Sequence, residues 1–332
     1  MNSYSIKNII SFFLLLLLLF IAMLLSLTFG SVQIEIAHVW KHLLHSNDDM
    51  DSIIINTLRL PRTALAALIG SNLAVAGALM QCLTRNPLAE AKIMGVSAGA
   101  SLVFVLISFF QLSISPNLMT VFIFMGAAIG GGFVYIISLT NRPSVGKLVL
   151  AGVSISSFLY ALSTGMLISL GENAGMIYAW LAGGLAGVTW ENFSQILPWS
   201  LGALLSAFIF SHFMNAYSLG DDLAKSLGLN LWKIRIILCV LVVILAGASV
   251  SVSGAIGFIG LIVPHIVRKL ISDDYKILLP FCALFGALLL VFSDLIARVI
   301  LIPIEIPVGV ITAFLGCPFF LYLIRKHGDK AA

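Results

Sequence analysis

A chain of 332 residues that is 60% hydrophobic and only 10% charged, with a mean hydropathy of +1.11, carries more apolar surface than a water-soluble core can hide. These figures exclude a soluble globular protein and imply a polytopic membrane protein. The formal charge of +4 decides little, because the placement of the basic residues matters more than their sum.

The first apolar run, Ile9 to Phe29, is longer than a signal-peptide core and lacks a small-x-small cleavage site, so it reads as a retained first helix. Windows of about 20 apolar residues, each able to cross a hydrocarbon core of about 30 Å, recur along the chain. They fall near 8–30, 58–83, 93–111, 117–140, 146–170, 193–213, 233–252, 256–270, 277–301 and 306–325. The pattern predicts an all-α polytopic membrane protein: one transmembrane domain over 1–332 with about ten transmembrane helices. Both termini then lie on one side. No alternating barrel pattern appears, and an open sheet edge would leave backbone groups unpaired in lipid. With cytoplasmic termini, fourteen lysines and arginines lie inside and only Lys41, Arg59, Arg62 and Arg298 lie outside, a strong positive-inside bias.

After the first span, EIAHVWKHLLHSNDDMD sets His38, His42 and His45 at i, i+4 and i+7 with acidic residues close behind. The spacing would suit a metal; it suits equally an interfacial amphipathic helix with Trp40 dipping into lipid, and no metal is assigned. The second span opens with LRLPRTALAALIG, which places Arg59 and Arg62 on the face poor in positive charge. Either they snorkel at a helix end or they await an anionic partner outside. Small residues at helical spacing, Gly95/Gly99, Gly126/Gly130, Gly183/Gly187 and Gly254/Gly257/Gly260, predict close backbone packing. Val75-Ala76-Gly77-Ala78 echoes Val252-Ser253-Gly254-Ala255, with Pro87 and Pro264 ten residues beyond each glycine, which fits a parallel half-bundle repeat.

Between spans five and six, GENAGMIYAWLAGGLAGVTWEN holds an apolar stretch too short to cross, flanked by Trp180 and Trp190, and predicts a short helix or re-entrant segment at the outer mouth. The longest cytoplasmic connection, about 214–232, predicts a brief helix from Leu219 to Gly228, capped by Ser218 with Asp221 and Asp222 at its positive end. Leu223 and Leu227 then share a face that needs an apolar partner. His265, after Pro264, reads as a structural hydrogen-bonder. Asp294 stands four residues before Arg298, a pair on one helical face near the outer end. Cys82, Cys239, Cys282 and Cys317 are single, without pairing or ligand spacing. No G-x-x-x-x-G-K-[ST] is present, and NRPSVGKL lacks its first glycine and its hydroxyl, so energy for active transport would come from another polypeptide. Few buried ionisable residues are available for an ion-coupled secondary transporter, and no HExxH or paired-carboxylate constellation suggests an intramembrane enzyme.

RLPRTALAALIG…AVAGALMQCLTRNPLAEAKIMGVSAGA, GAIGFIGLIVPHIVR and LLPFCALFGALLLVFSDLIARVILIPIEIPVGVITAFLGCPFFLYLI together resemble the FecCD permeases of binding-protein-dependent ABC importers for iron-siderophores, haem and vitamin B12. The likeness spans almost the whole chain in order. Departures are Ala91 and Lys92 where proline and glycine are usual, Ser272-Asp273-Asp274-Tyr275-Lys276 in place of G-x-D-H-R, and Cys82 where glycine is usual. The resemblance implies ten helices per subunit, a second permease subunit (the same or a paralogue), two cytoplasmic ATPase subunits and an extracytoplasmic binding protein. It implies a bacterial cytoplasmic-membrane location and no cofactor of the chain's own, ATP-Mg being held by the ATPase. Arg59, Arg62 and Arg298 match the sockets for acidic residues of the binding protein. Leu219, Gly220, Asp221, Asp222, Leu223, Ala224, Leu227 and Gly228 match the coupling helix that rests on the ATPase. The implied cargo is ferric siderophore, with haem or vitamin B12 as alternatives. An arginine fork suits carboxylate partners better than a lysine does.

Overall fold

The computed structural model describes residues 3–30, 32–44, 49–138, 145–170 and 175–328; His45 and Arg142 lie outside them. Among the described residues there are helices and no strands. In chain order the helices are α1 (Ser3–Thr28), α2 (Ile36–Leu44), α3 (Met50–Ile53), α4 (Leu60–Thr84), α5 (Val96–Phe109), α6 (Pro116–Ser138), α7 (Val145–Leu170), α8 (Gly175–Leu181), α9 (Trp190–Ser218), α10 (Asp221–Ser226), α11 (Leu231–Ser253), α12 (Ile259–Leu270), α13 (Tyr275–Val299) and α14 (Val308–Gly328). Each of the ten apolar windows overlaps one of these helices among the described residues. By length and composition, seven helical segments among the described residues are able to cross a membrane; α5 and part of α14 are shorter apolar helices.

α4 is the axis of the bundle, packed on by α13, α11, α12 and α9. The continuous helical segment that contains α4 begins at Met50, earlier than the window at 58 suggests. Pro61 has no N–H to offer the preceding turn, and the chain accommodates it with a π-helical stretch, Ile54–Arg59, that joins α3 to α4 without a break. Backbones approach α4 closely where side chains are absent. A Cβ on Gly77 would lie 2.0 Å from the Gly260 carbonyl oxygen, and one on Gly70 would lie 2.2 Å from that of Gly286. The predicted pairs Gly95/Gly99 and Gly126/Gly130 face each other across the α5–α6 contact in the same way. By contrast Gly254, matched to Gly77 by the internal echo, abuts the Trp180 carbonyl instead. The two halves of the echo therefore have different neighbours.

α1 touches the bundle mainly along α13, with Phe12 edge-on to Phe281 at 5.7 Å, and leaves Leu14, Leu16, Leu17 and Leu18 exposed. α2 is the expected amphipathic helix: Val39 is buried, whereas Trp40 is exposed beside Phe20. Trp180, expected in the headgroup region, instead stacks inside on Phe104 at 4.1 Å. Trp190 is exposed, as predicted, and its indole N–H donates to the Asn56 carbonyl at 2.8 Å. α12 starts at Phe258, whose φ of +70° turns the chain, and the Glu90 carboxylate accepts the Phe258 N–H at 2.7 Å. The glutamate of NPLAE thus caps a helix that begins inside the bundle. Cys82, Cys239 and Cys282 are buried free thiols and Cys317 is an exposed one.

Gly77→Ala is expected to cost about 1–3 kcal/mol, because backbone rather than a movable side chain blocks the added methyl. Gly165→Ala, inside α7 and with nothing within 4 Å of the new Cβ, is expected to leave thermal melting of the detergent-solubilised chain undiminished and to stabilise it by up to about 1 kcal/mol.

Candidate functional site

The predicted site residues gather at the two ends of α4, which at about 1.5 Å per residue are about 37 Å apart. At one end stand Arg59, Arg62 and Arg298. They line one cavity of about 400 Å³ together with Gly30, Thr57 and Glu305. A further cavity of about 270 Å³ shares Arg62 and Glu305 and reaches Trp180 and Val252.

The three guanidiniums converge, yet two of them are buried and turned inward. Arg59, 6% exposed, donates through Nη1 to the carbonyls of Leu27 (2.6 Å) and Thr28 (2.9 Å) and through Nη2 to that of Val32. Arg298, 5% exposed, donates to the Ser26 carbonyl (3.2 Å), to Ser26 Oγ (2.5 Å) and to the Phe29 carbonyl (3.4 Å). The carbonyls of Ser26, Leu27 and Thr28 among these acceptors are terminal carbonyls of α1, which have no intrahelical donors. Ser26 Oγ also meets Thr63 Oγ1 at 2.7 Å, so α1, α4 and α13 are tied at one point.

Asp294 is fully buried and is the counter-charge. Arg62 grips it with Nε at 3.0 and 3.1 Å from its two oxygens and Nη2 at 2.9 Å. Arg298 Nε lies 3.1 Å from Asp294 Oδ2, the pair expected at i, i+4, without the alignment of a hydrogen bond. The remaining arm of Arg62 reaches Glu305 at 2.7 Å. Sequence reasoning missed Glu305, although it is the acid of the IEIPVG element, and missed that Asp294 serves Arg62 as well as Arg298.

At the other end of α4, the connection between α9 and α11 is shorter than 214–232 implies, because α9 runs to Ser218 and α11 starts at Leu231. The brief helix there spans Asp221–Ser226 rather than Leu219–Gly228. Its N-cap is Gly220, at φ +113°, not Ser218, whose hydroxyl donates back to the Asn215 carbonyl at 2.7 Å. Gly228, at φ +78°, follows its last turn as predicted. Ala224 is buried beneath the helix, while Leu219, Leu223 and Leu227 are each more than half exposed.

Asp221 does more than face the helix dipole. It accepts from Arg85, at the end of α4, at 2.6 Å and from Arg235, on α11, at 2.8 Å. Buried Tyr217 organises the clamp. Arg85 lies 4.6 Å from its ring centroid and donates to its carbonyl at 2.9 Å, while Arg235 Nε donates to its hydroxyl at 3.1 Å. Partial burial pushes the Asp221 carboxyl up, but the hydrogen bond from Arg85 and the charge of Arg235 outweigh it and hold the group below its ordinary range.

Comparison with known proteins gives these ends a context. The family model of the FecCD transport family matches residues 17–326. The chain is 44% identical to the Fe(3+)-citrate import system permease protein YfmD of Bacillus subtilis (strain 168), over 97% of this chain and 96% of that one. It is 42% identical to the iron(3+)-hydroxamate import system permease protein FhuB of the same organism, over 93% and 81%. A solved structure, described as an inward-facing conformation of a metal-chelate type ABC transporter, superposes with a TM-score of 0.83 at 30% identity, covering 95% of this chain and 98% of that one.

Arg298→Ala strips donors from the end of α1 and one counter-charge from buried Asp294, so a loss of about 3–5 kcal/mol is expected in thermal melting. Arg298→Lys recovers only part, because one ammonium replaces a planar fork of five donors. For Asp221 the folded pKa lies below the unfolded one, so the clamp contributes fully above the ordinary carboxylate pKa. Its contribution is lost as pH falls through the lower folded value. The stability gap between wild type and Asp221→Asn is therefore expected to persist at neutral pH and to close below about pH 4.

Proposed function

The chain belongs to the FecCD transport family, and on that premise we propose that it is the membrane-spanning permease subunit of a binding-protein-dependent ABC importer that carries ferric siderophore inward. It is a multi-pass protein of the bacterial cytoplasmic membrane, all-α in fold. A second permease subunit completes the pathway, and ATP is hydrolysed with Mg²⁺ on two cytoplasmic ATPase subunits. Relatives named for ferric citrate and ferric hydroxamate, at 44% and 42% identity, favour an iron chelate over haem or vitamin B12 as cargo.

The observation that carries this reading is the uncovered apolar face of Leu219, Leu223 and Leu227 on an element held rigidly by Asp221. Exposed leucines outside the lipid-crossing helices need a partner. A groove on the ATPase supplies one, and the clamp to Arg85 and Arg235 transmits any push on α10 to the ends of α4 and α11. On the outer side the binding protein lands on the mouth lined by Arg59, Arg62 and Arg298. There Asp294 and Glu305 pair with Arg62 and Arg298, whereas Arg59 gives its donors to backbone carbonyls and has no carboxylate in ion-pair contact among the described residues, so acidic lobes would meet its charge. A docking event outside and a push inside thus bias one bundle with two arrangements.

In proteoliposomes holding the assembled transporter, Leu223→Asp is expected to abolish radio-iron siderophore uptake and to remove the stimulation of ATPase activity by loaded binding protein. Basal ATP turnover would persist. Retention of both uptake and stimulation would rule out a coupling role for α10.

A further inference from the structure

The connection between α1 and α4 gathers two imidazoles and two carboxylates that none of the roles above uses. His38 and His42 stand at i and i+4 on α2, so their rings rise from one face. The chain returns to meet them with Asp49, the N-cap of α3, and Asp51 in its first turn. His38 Nδ1 lies 3.3 Å from Asp51 Oδ2, and His42 Nε2 lies 3.3 Å from Asp49 Oδ2. One ligand atom from each of His38, His42 and Asp51 falls within 4.8 Å of the others. His45, the third member of the sequence pattern, lies outside the described residues.

Two features favour a shared ion over two separate hydrogen bonds. Charge-assisted hydrogen bonds close to about 2.7–2.9 Å, and these pairs stand wider. Ligands on one tetrahedral zinc, with bonds of roughly 2.0–2.2 Å, lie about 3.3 Å apart; His38 Nδ1 and Asp51 Oδ2 stand at that separation, and His42 completes the set within 4.8 Å. The His42 side chain is 2% exposed and its Nδ1 has no hydrogen-bond partner, whereas the His38 and Asp51 side chains are 54% and 37% exposed and leave a route for entry. The donor set is nitrogen and oxygen without sulfur, which suits zinc and cobalt(II) and not the soft-thiolate metals.

We propose that His38, His42 and Asp51 form a binding site for a resident divalent cation of the zinc class, separate from any cargo, with Asp49, 3.3 Å from His42 Nε2, orienting that ring. The ion would staple α2 to α3 and so to the π-helical stretch that carries Arg59. Asn56 of that stretch already donates to the His42 carbonyl at 3.3 Å and accepts from the Trp190 indole at 2.8 Å. The site therefore sits on the framework of the arginine end.

The test uses the full-length chain, without an affinity tag, in nanodiscs after chelator treatment. Titration with Zn²⁺ against a chromophoric competitor is expected to give a single equivalent. Co²⁺ is expected to give the visible bands of a four-coordinate nitrogen and oxygen site. The double variant His38→Ala, Asp51→Asn changes exposed groups only. It is expected to bind Zn²⁺ at least about tenfold more weakly and to lose the rise in melting temperature that Zn²⁺ gives the wild type. Absence of a stoichiometric equivalent, or equal affinity in the double variant, would overturn the site.

Discussion

A helix that ends beside other helices rather than in water must find donors for its last carbonyls, and at the end of α1 arginines from two other helices provide them. Arg59 comes from the entry to α4 and Arg298 from the last turn of α13. Each brings a charge that burial makes costly unless it is matched. Asp294 matches that of Arg298, and Arg62 locks Asp294 in turn. The terminal carbonyls of one helix thus account for the inward course of two guanidiniums, which in turn accounts for a fully buried carboxylate. The cavity at this end inherits its shape and charge from that arrangement.

The same logic recurs at the far end of α4. Arg85 finds an acid from another element, Asp221, which also holds Arg235. Between the two locks, α4 lies against backbone rather than side chains, at Gly70 with Gly286 and at Gly77 with Gly260. Dispersion falls off steeply with distance, so backbones in contact move together. α4 is therefore a rod fixed at both ends and gripped in the middle. Such an element passes a displacement at one end to the other without relying on loops.

The helices were legible because lipid demands a long apolar window for each, and the glycine pairs of α5 and α6 because small residues at helical spacing leave few other uses. Asp294 with Arg298 was legible for the same reason: a spacing of four fixes a helical neighbour. The partners that mattered more were not. Arg62 and Asp294 are 232 residues apart, and no local pattern links them. A backbone carbonyl has no letter in the sequence, so the inward turn of Arg59 and Arg298 left no signal, and outward-facing sockets were the natural expectation. Ser218 looked like a cap because its residue type suits one, but Gly220 reaches a backbone conformation that serine resists. At α2 the groups that approach the rings of His38 and His42 are the aspartates Asp51 and Asp49, which no helical spacing links to them.

The tie between Ser26 and Arg298 spans 272 residues, and synthesis runs in one direction. The opening segment leaves the ribosome and enters the bilayer long before the arginine that completes its far edge has been translated. Arg59 and Thr63 can hold Leu27, Thr28 and the Ser26 hydroxyl soon after α4 is made, whereas the Ser26 carbonyl waits for α13. A chain truncated before α13 would therefore carry α1 only partly fastened.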